Sequence, residues 1–213
     1  MKQVLSVIEN ISIGRNFLYK WIYSHHKVNY EQYLLSEIVK KLDSLSGDNF
    51  SKKIFSYESF YDAQPYNGTT FYLPSDDDVI HIIKKYKNSF PQINEYLTRN
   101  YKYKALWKTY FEFNDAYFHQ VSSANRMTIA TNIKKGMLAE DFGTENLLCI
   151  QVEPKLKGLN NNEFFIEIND EFIDAAKATS VVSQNLNYFI VYVVEDLLPH
   201  KKEILSKILD LQS

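Results

Sequence analysis

Tyr188-Phe189-Ile190-Val191-Tyr192-Val193-Val194 is the stretch on which the fold turns. It is an unbroken apolar run rich in β-branched and aromatic residues, and it stops at Glu195-Asp196. Successive side chains of a strand point to opposite faces, so a run with no polar face predicts a central strand covered on both sides. Working outward, Leu147 to Glu153 reads as a second strand, in which Ile150 and Val152 alternate with Gln151 and Glu153. Gly143-Thr144-Glu145-Asn146 reads as a turn, which makes Met137 to Phe142 the other arm of a β-hairpin. Phe164, Ile166 and Ile168 alternate along a third strand. Asn169 is then placed to cap a helix, with Asp170 and Glu171 at its positive end and Phe172, Ile173 and Ala176 on its buried face. The predicted order is β-β-β-α-β, closed by a helix from 201 to 211 that presents Ile204, Leu205, Ile208 and Leu209.

The chain ahead of this unit reads as mainly helical. Tyr33, Leu34, Ile38, Leu42 and Leu45 recur at three- and four-residue spacing, predicting a helix over 30–45 with Asn29 and Gln32 as a capping box and Gly47 as its stop. The segment 15–24 offers Phe17, Leu18, Trp21 and Ile22 as an apolar side. Residues 54–57 and 69–73 suit two short strands or an extended loop, with Asn67-Gly68 as the turn between them. Ser75 with Asp76, Asp77 and Asp78 places a cap and three carboxylates at the start of a helix. Adjacent helical residues point about 100° apart, which favours capping over a shared ion. Pro91 suits the first turn of the next helix. Between Lys102 and Val121, Trp107, Thr109, Phe111 and Phe113 alternate as in a strand while Trp107, Tyr110, Phe111 and Tyr117 also suit a helix; the aromatic content and the Asn114-Asp115 pair favour two strands joined by a tight turn. The expected class is therefore α+β, a mixed α/β chain with a helical N-terminal region over 1–101 and a sheet-bearing region over 102–213.

Composition sets the limits. The 213 residues are 45% hydrophobic and 23% charged, the balance of a globular chain with a real core. No apolar run is long enough to span a bilayer and no secretory signal is legible, so the expected location is cytoplasmic and no membrane partner is expected. The single Cys149 excludes an internal disulfide and a thiolate metal cluster, and its apolar neighbours mark it as a small buried hydrophobe. Residues 83–135 carry ten basic against three acidic side chains in a chain whose net charge is −2. Within that basic middle, Lys102, Lys104, Trp107 and Lys108, with Lys134 and Lys135 further on, are the candidates to hold phosphates and stack bases of DNA or RNA. Plain packing with lysines reaching to solvent explains the same run. The five histidines show no ligand spacing, and there are too few glycines for a phosphate-binding loop.

The element order, together with Ile150-Gln151-Val152-Glu153-Pro154-Lys155, Phe164 to Glu171 and Tyr188 to Tyr192, resembles the restriction-endonuclease-like PD-(D/E)xK superfamily, and within it the NO VEIN C-terminal type of domain. The likeness covers about sixty residues, 136 to 196. It implies a nucleic-acid-associated protein of restriction-modification and genome defence, with metal-dependent phosphodiester cleavage. Glu153 and Lys155 would be the catalytic pair, and Asp141 and Glu153 would hold Mg²⁺. Residues two apart on a strand share a face, which is how such a site brings its carboxylates and lysine to one ion. The sequence departs from the pattern at Pro154, which suits a strand end. The alternation of Ile150 and Val152 selects Gln151 and Glu153 as the same-face pair instead. The hairpin register also leaves Asp141 three residues nearer the turn than Gln151, roughly 10 Å along the strand. The alternative is a non-catalytic interaction protein, an immunity or regulatory partner, that keeps such a fold as a scaffold and meets a protein partner through its aromatic side chains.

Overall fold

Helix α1 (Lys2–Leu18) runs into a π-helical turn (Tyr19–Tyr23), and after Ser24 and His25 the long helix α2 (His26–Leu45) begins. The computed structural model describes residues 2–45, 50–66, 68–71, 73–153, 155–156, 165–168, 171–174, 184–185 and 187–211. The chain forms two compact units, one of residues 1–29 with 103–213 and one of residues 30–102. One division falls beside the expected 101/102 boundary, but the first twenty-nine residues group with the C-terminal part. The class is α+β, with a helical N-terminal half and a C-terminal region of strands and helices.

In the unit of residues 30–102, α2 is followed by α3 (Phe50–Phe55), the hairpin β1 (Gln64–Tyr66) and β2 (Thr69–Phe71), then α4 (Asp76–Lys85) and α5 (Pro91–Thr98). Leu34, Ile38 and Leu42 are buried as their spacing predicts, whereas Leu45 is exposed. The helix starts a turn before the expected capping box, and Asn29 lies inside it, donating to the His25 carbonyl at 3.0 Å. Gly47 lies outside the described residues. Residues 54–57 form no strand: Ile54 and Phe55 end α3, Ser56 is an extended cap and Tyr57 opens a 3-10 turn, and the hairpin partner of β2 is supplied by 64–66. Gly68 takes the left-handed conformation (φ 75°) that the turn requires. At the start of α4 the Asp78 carboxylate accepts from the Ser75 N–H at 2.8 Å and from its hydroxyl at 3.0 Å, and Pro91 opens α5. Ile38, Leu42, Phe50, Ile54, Tyr66, Val79, Ile82, Ile83 and Ile93 form the core.

The other unit is built on β3 (Tyr103–Ala105), α6 (Ser123–Lys134), α7 (Ala139–Phe142), β4 (Leu147–Val152), β5 (Lys155–Leu156), β6 (Phe165–Ile168), β7 (Glu171–Asp174), β8 (Gln184–Asn185), β9 (Tyr188–Val194) and α8 (Lys201–Asp210). As its composition predicts, β9 is the middle strand of the antiparallel sheet β3-β9-β4, and Tyr188 to Val193 are all buried. Three expectations are corrected. Residues 139–142 form a helical turn, so β4 pairs with β9 (Leu147↔Val193 to Val152↔Tyr188) and the hairpin at 143–146 does not exist. Residues 171–174 form a strand that pairs back on β6 (Ile168↔Glu171), where a capped helix was expected; Asn169, Asp170 and Ala176 lie outside the described residues. Only the three residues of β3 are extended between 102 and 121; Glu112–Phe118 is a π-helix.

The π-helix has a packing reason. Its wider turn brings residues five apart onto one face, and Phe113 and Phe118 stack there with centroids 4.4 Å apart and planes 18° apart. Both rings enclose Trp107, with centroids at 5.6 and 5.4 Å, and Phe189 closes the cage at 5.5 Å. Buried Arg126 pins the π-helix end: it donates to the carbonyls of Val121 (2.9 Å) and Phe118 (2.7 Å) and to Asn114 Oδ1 (2.7 Å).

Candidate functional site

The residues proposed for metal chemistry are held apart by the sheet. Asp141 lies on α7, ahead of the Leu147 end of β4, and accepts from Lys207 Nζ of α8 at 2.5 Å. Glu153 follows the other end of β4, exposed, six strand steps or about 20 Å from Leu147. Between them Gln151 accepts from Lys134 Nζ at 2.7 Å. Lys155 begins β5 and pairs with Asn185, and Pro154 lies outside the described residues. Among the described residues no three His, Cys, Asp or Glu side chains are grouped to hold a metal ion. Of the two carboxylates expected to hold Mg²⁺, Asp141 is engaged by the Lys207 ammonium and Glu153 lies beyond the far end of β4.

Each nucleic-acid candidate has its own setting. Trp107 is fully buried and no base can stack on it. Its indole instead serves the sheet. The Leu106 N–H donates to the Val191 carbonyl at 2.8 Å, and where β3 then leaves the sheet, Trp107 Nε1 donates to the Phe189 carbonyl at 2.7 Å. The side chain thus extends the ladder by one bond after the backbone has turned away. Lys102 belongs to the unit of residues 30–102, and its N–H donates to Glu95 at 2.6 Å. Lys104 is half-buried on β3. The backbone N–H of exposed Lys108 donates to Glu112 at 3.0 Å. Lys134 and Lys135 are exposed at the end of α6, the first of them engaged by Gln151.

The feature that sequence reasoning missed is α1. The turn after it is tied to the central strand: Tyr188 and Tyr192, on one face of β9, donate to the carbonyls of Ser24 (2.8 Å) and His26 (2.6 Å). Burial holds both phenols far above their ordinary pKa, so they remain donors. The helix itself is inverted. Ser12, Arg15, Asn16 and Tyr19 are half-buried, and Asn16 Oδ1 is enclosed without a hydrogen-bond partner. On the opposite side Val7, Ile11, Phe17 and Leu18 are 57%, 66%, 60% and 43% exposed. Phe17, Leu18, Trp21 and Ile22, read from the sequence as one apolar side, are thus turned to solvent. Trp21 stacks on exposed Phe111 of the second π-helical region at 5.0 Å and 18°, and Lys20 Nζ lies 4.4 Å from the Phe111 ring centre. The available signal was the recurrence of Val7, Ile11, Gly14, Leu18 and Trp21 at alternating four- and three-residue steps.

A cleft of about 200 Å³ lies between the end of α6, α7 and β4, and Cys149 lines it with Leu138 and Leu148. Its volume is below the few hundred Å³ of ordinary ligand sites. Burial pushes the Cys149 thiol up to about 12, which removes it as a nucleophile. No described helix is long and apolar enough to cross a membrane.

No family model and no curated protein matches the sequence. In structure the chain is similar to a hypothetical protein from Aquifex aeolicus, with a TM-score of 0.56 and 20% identity. The match covers 93% of this chain and 44% of that one, so the chain spans under half the length of that protein, and the likeness shows a shared fold.

Proposed function

We propose that this chain is a non-catalytic interaction protein that docks on another polypeptide through the outward apolar face of α1. The inversion of that helix carries the reading. A surface helix ordinarily turns its apolar stripe to the core, because each side chain of this size gains about 1.5–3 kcal/mol on leaving water. Here Ser12, Arg15, Asn16 and Tyr19 form the half-buried side and the apolar side faces solvent, continuous with the Trp21–Phe111 stack. Exposed apolar surface rimmed by polar residues and centred on aromatic side chains is the composition of a protein interface core. The separation of Asp141 from Glu153 weighs the same way, since phosphodiester cleavage on a metal needs carboxylates that converge on one ion.

A photo-activatable phenylalanine placed at Phe17, and at exposed Ser206 on α8 as control, tests this in cells. The expected result is a discrete protein adduct from position 17 and none from position 206. A Mg²⁺- or Mn²⁺-dependent cleavage assay on plasmid, single-stranded DNA and RNA is run beside it. Absence of an adduct at 17 would overturn the reading, and metal-dependent cutting that disappears in Glu153→Ala and Lys155→Ala would overturn it in favour of a metal-dependent nuclease.

A further inference from the structure

We infer that the occupant of the α1 face is a second copy of this chain, whose own α1 lies antiparallel to the first and crosses it at Gly14. The inference rests on the reading of α1 as an interaction surface and adds to it the partner and its geometry. Gly14 is the first ground. It sits in the middle of a helix, where glycine is the least favourable residue after proline, and it has no left-handed backbone to justify it. A Cβ built on it meets nothing within 4 Å. Among the described residues nothing crowds this position, whereas a second helix backbone approaching closely would ask for a glycine there.

The second ground is the symmetry of the face. Val7 and Trp21 lie seven residues on either side of Gly14, and Ile11 and Leu18 lie three and four residues from it. In an isologous pair, contact of residue i with residue j implies contact of j with i. An antiparallel crossing at Gly14 therefore sets Val7 against the other copy's Trp21, a small side chain facing a large one, and brings Ile11 beside its Leu18, two side chains of equal volume. A parallel pair would instead oppose two tryptophans at one end and two valines at the other, overfilled and underfilled in turn. Antiparallel helices also align their dipoles favourably.

Charge and area agree. The outward residues Val7, Asn10, Ile11, Gly14, Phe17, Leu18 and Trp21 include no charged side chain, while Glu9, Arg15 and Lys20 flank the face and are half-buried. A face without charge offers nothing to select an oppositely charged partner and nothing to repel its own copy. Val7, Ile11, Phe17 and Leu18 are between 43% and 66% exposed and Trp21 is 36% exposed, so the face offers a small interface, at the lower end of the range in which specific pairs associate.

Sedimentation equilibrium of the purified chain from about 1 to about 100 µM, the range in which such an interface titrates, is the test. The expected mass approaches twice the 25.0 kDa of the chain at the upper end. Gly14→Leu, whose side chain has open space in the single chain, keeps the far-UV circular dichroism of the wild type and weakens the association about tenfold or more. Under copper-phenanthroline oxidation, Val7→Cys combined with Trp21→Cys forms the intermolecular disulfide. Val7→Cys alone does not, because the two copies of position 7 lie about 20 Å apart in the antiparallel pair. A mass of 25.0 kDa across the range, a Gly14→Leu protein as dimeric as the wild type, or efficient cross-linking through Val7→Cys alone would overturn the inference. A constant 25.0 kDa with a photo-adduct from position 17 to a different protein removes the second copy and leaves the interaction reading; with no adduct, both fall. Monomeric binding to phosphatidylglycerol vesicles would overturn it in favour of a lipid surface.

Discussion

Replacing Trp107 by phenylalanine keeps an aromatic ring in the cage of Phe113, Phe118 and Phe189 but removes the indole N–H. The Phe189 carbonyl then loses the donor at 2.7 Å that continues the sheet ladder past β3. A buried acceptor left unpaired costs about 1–3 kcal/mol. The smaller ring leaves a void in a fully buried site, which adds about 1 kcal/mol. Together the change costs about 2–4 kcal/mol, a large part of the ~5–15 kcal/mol that holds a domain folded. Urea unfolding followed by far-UV circular dichroism reads it directly. With a slope near 2 kcal/mol per molar, the midpoint falls by about 1–2 M and the slope stays unchanged. Phe118→Leu removes ring volume without touching a hydrogen bond and separates the packing contribution. A Trp107→Phe protein within about 0.5 kcal/mol of the wild type would refute the assignment of the indole as a ladder partner.

Arg126→Lys keeps the charge but gives up the fork that serves three acceptors at the end of the π-helix, and it should cost about 1–3 kcal/mol, seen as a lower thermal midpoint. His26 titrates in the folded chain at about 4 because burial, and then the neighbouring His25, Lys108 and Lys27, oppose its protonation, while the Lys108 carbonyl 3.3 Å from Nδ1 partly offsets them. Its unfolded value is near 6.5, so between those limits the unfolded chain binds a proton that the folded chain refuses. Stability is therefore full above about pH 6.5 and falls as the pH drops towards 4, by about 1–2 kcal/mol once solvent screening of the partly exposed ring is allowed for. His26→Gln should lose less over the same interval in urea titrations at pH 7 and pH 4.5, and equal losses in the two proteins would contradict the assignment.

The parts of the fold legible in the sequence are those where one local signal dominates. An apolar run with no polar face admits only a covered strand, and β9 is that strand. Ser75 ahead of three aspartates, and Pro91 at a first turn, state where helices start. Elsewhere two periods coincide. Trp107, Thr109, Phe111 and Phe113 alternate as a strand would, but the chain turns helical because Phe113 and Phe118 must reach the same indole, and an i,i+5 relation has no counterpart in either regular period. The hairpin expected at 137–153 fails because β4 finds a longer partner in β9, a pairing across forty residues that no local pattern discloses. The placement of Asp141 and Glu153 depended on that register. The α1 face was half legible: the apolar residues of 15–24 were found, but the side they face follows from Tyr188 and Tyr192 holding the turn at Ser24 and His26.

If α1 works with its apolar face covered, a cysteine introduced on that face is shielded from solvent reagents in the cell. Native Cys149 is buried with its thiol raised to about 12, so a single introduced cysteine reports its own position without background. Maleimide labelling of Leu18→Cys in intact cells, against Ser206→Cys on the exposed side of α8, measures that cover. Leu18→Cys should label at least about tenfold more slowly than Ser206→Cys in cells and catch up after denaturation, the protection expected of a site desolvated by a partner. Equal rates in the native state would show the face open to water and contradict its role as an interface.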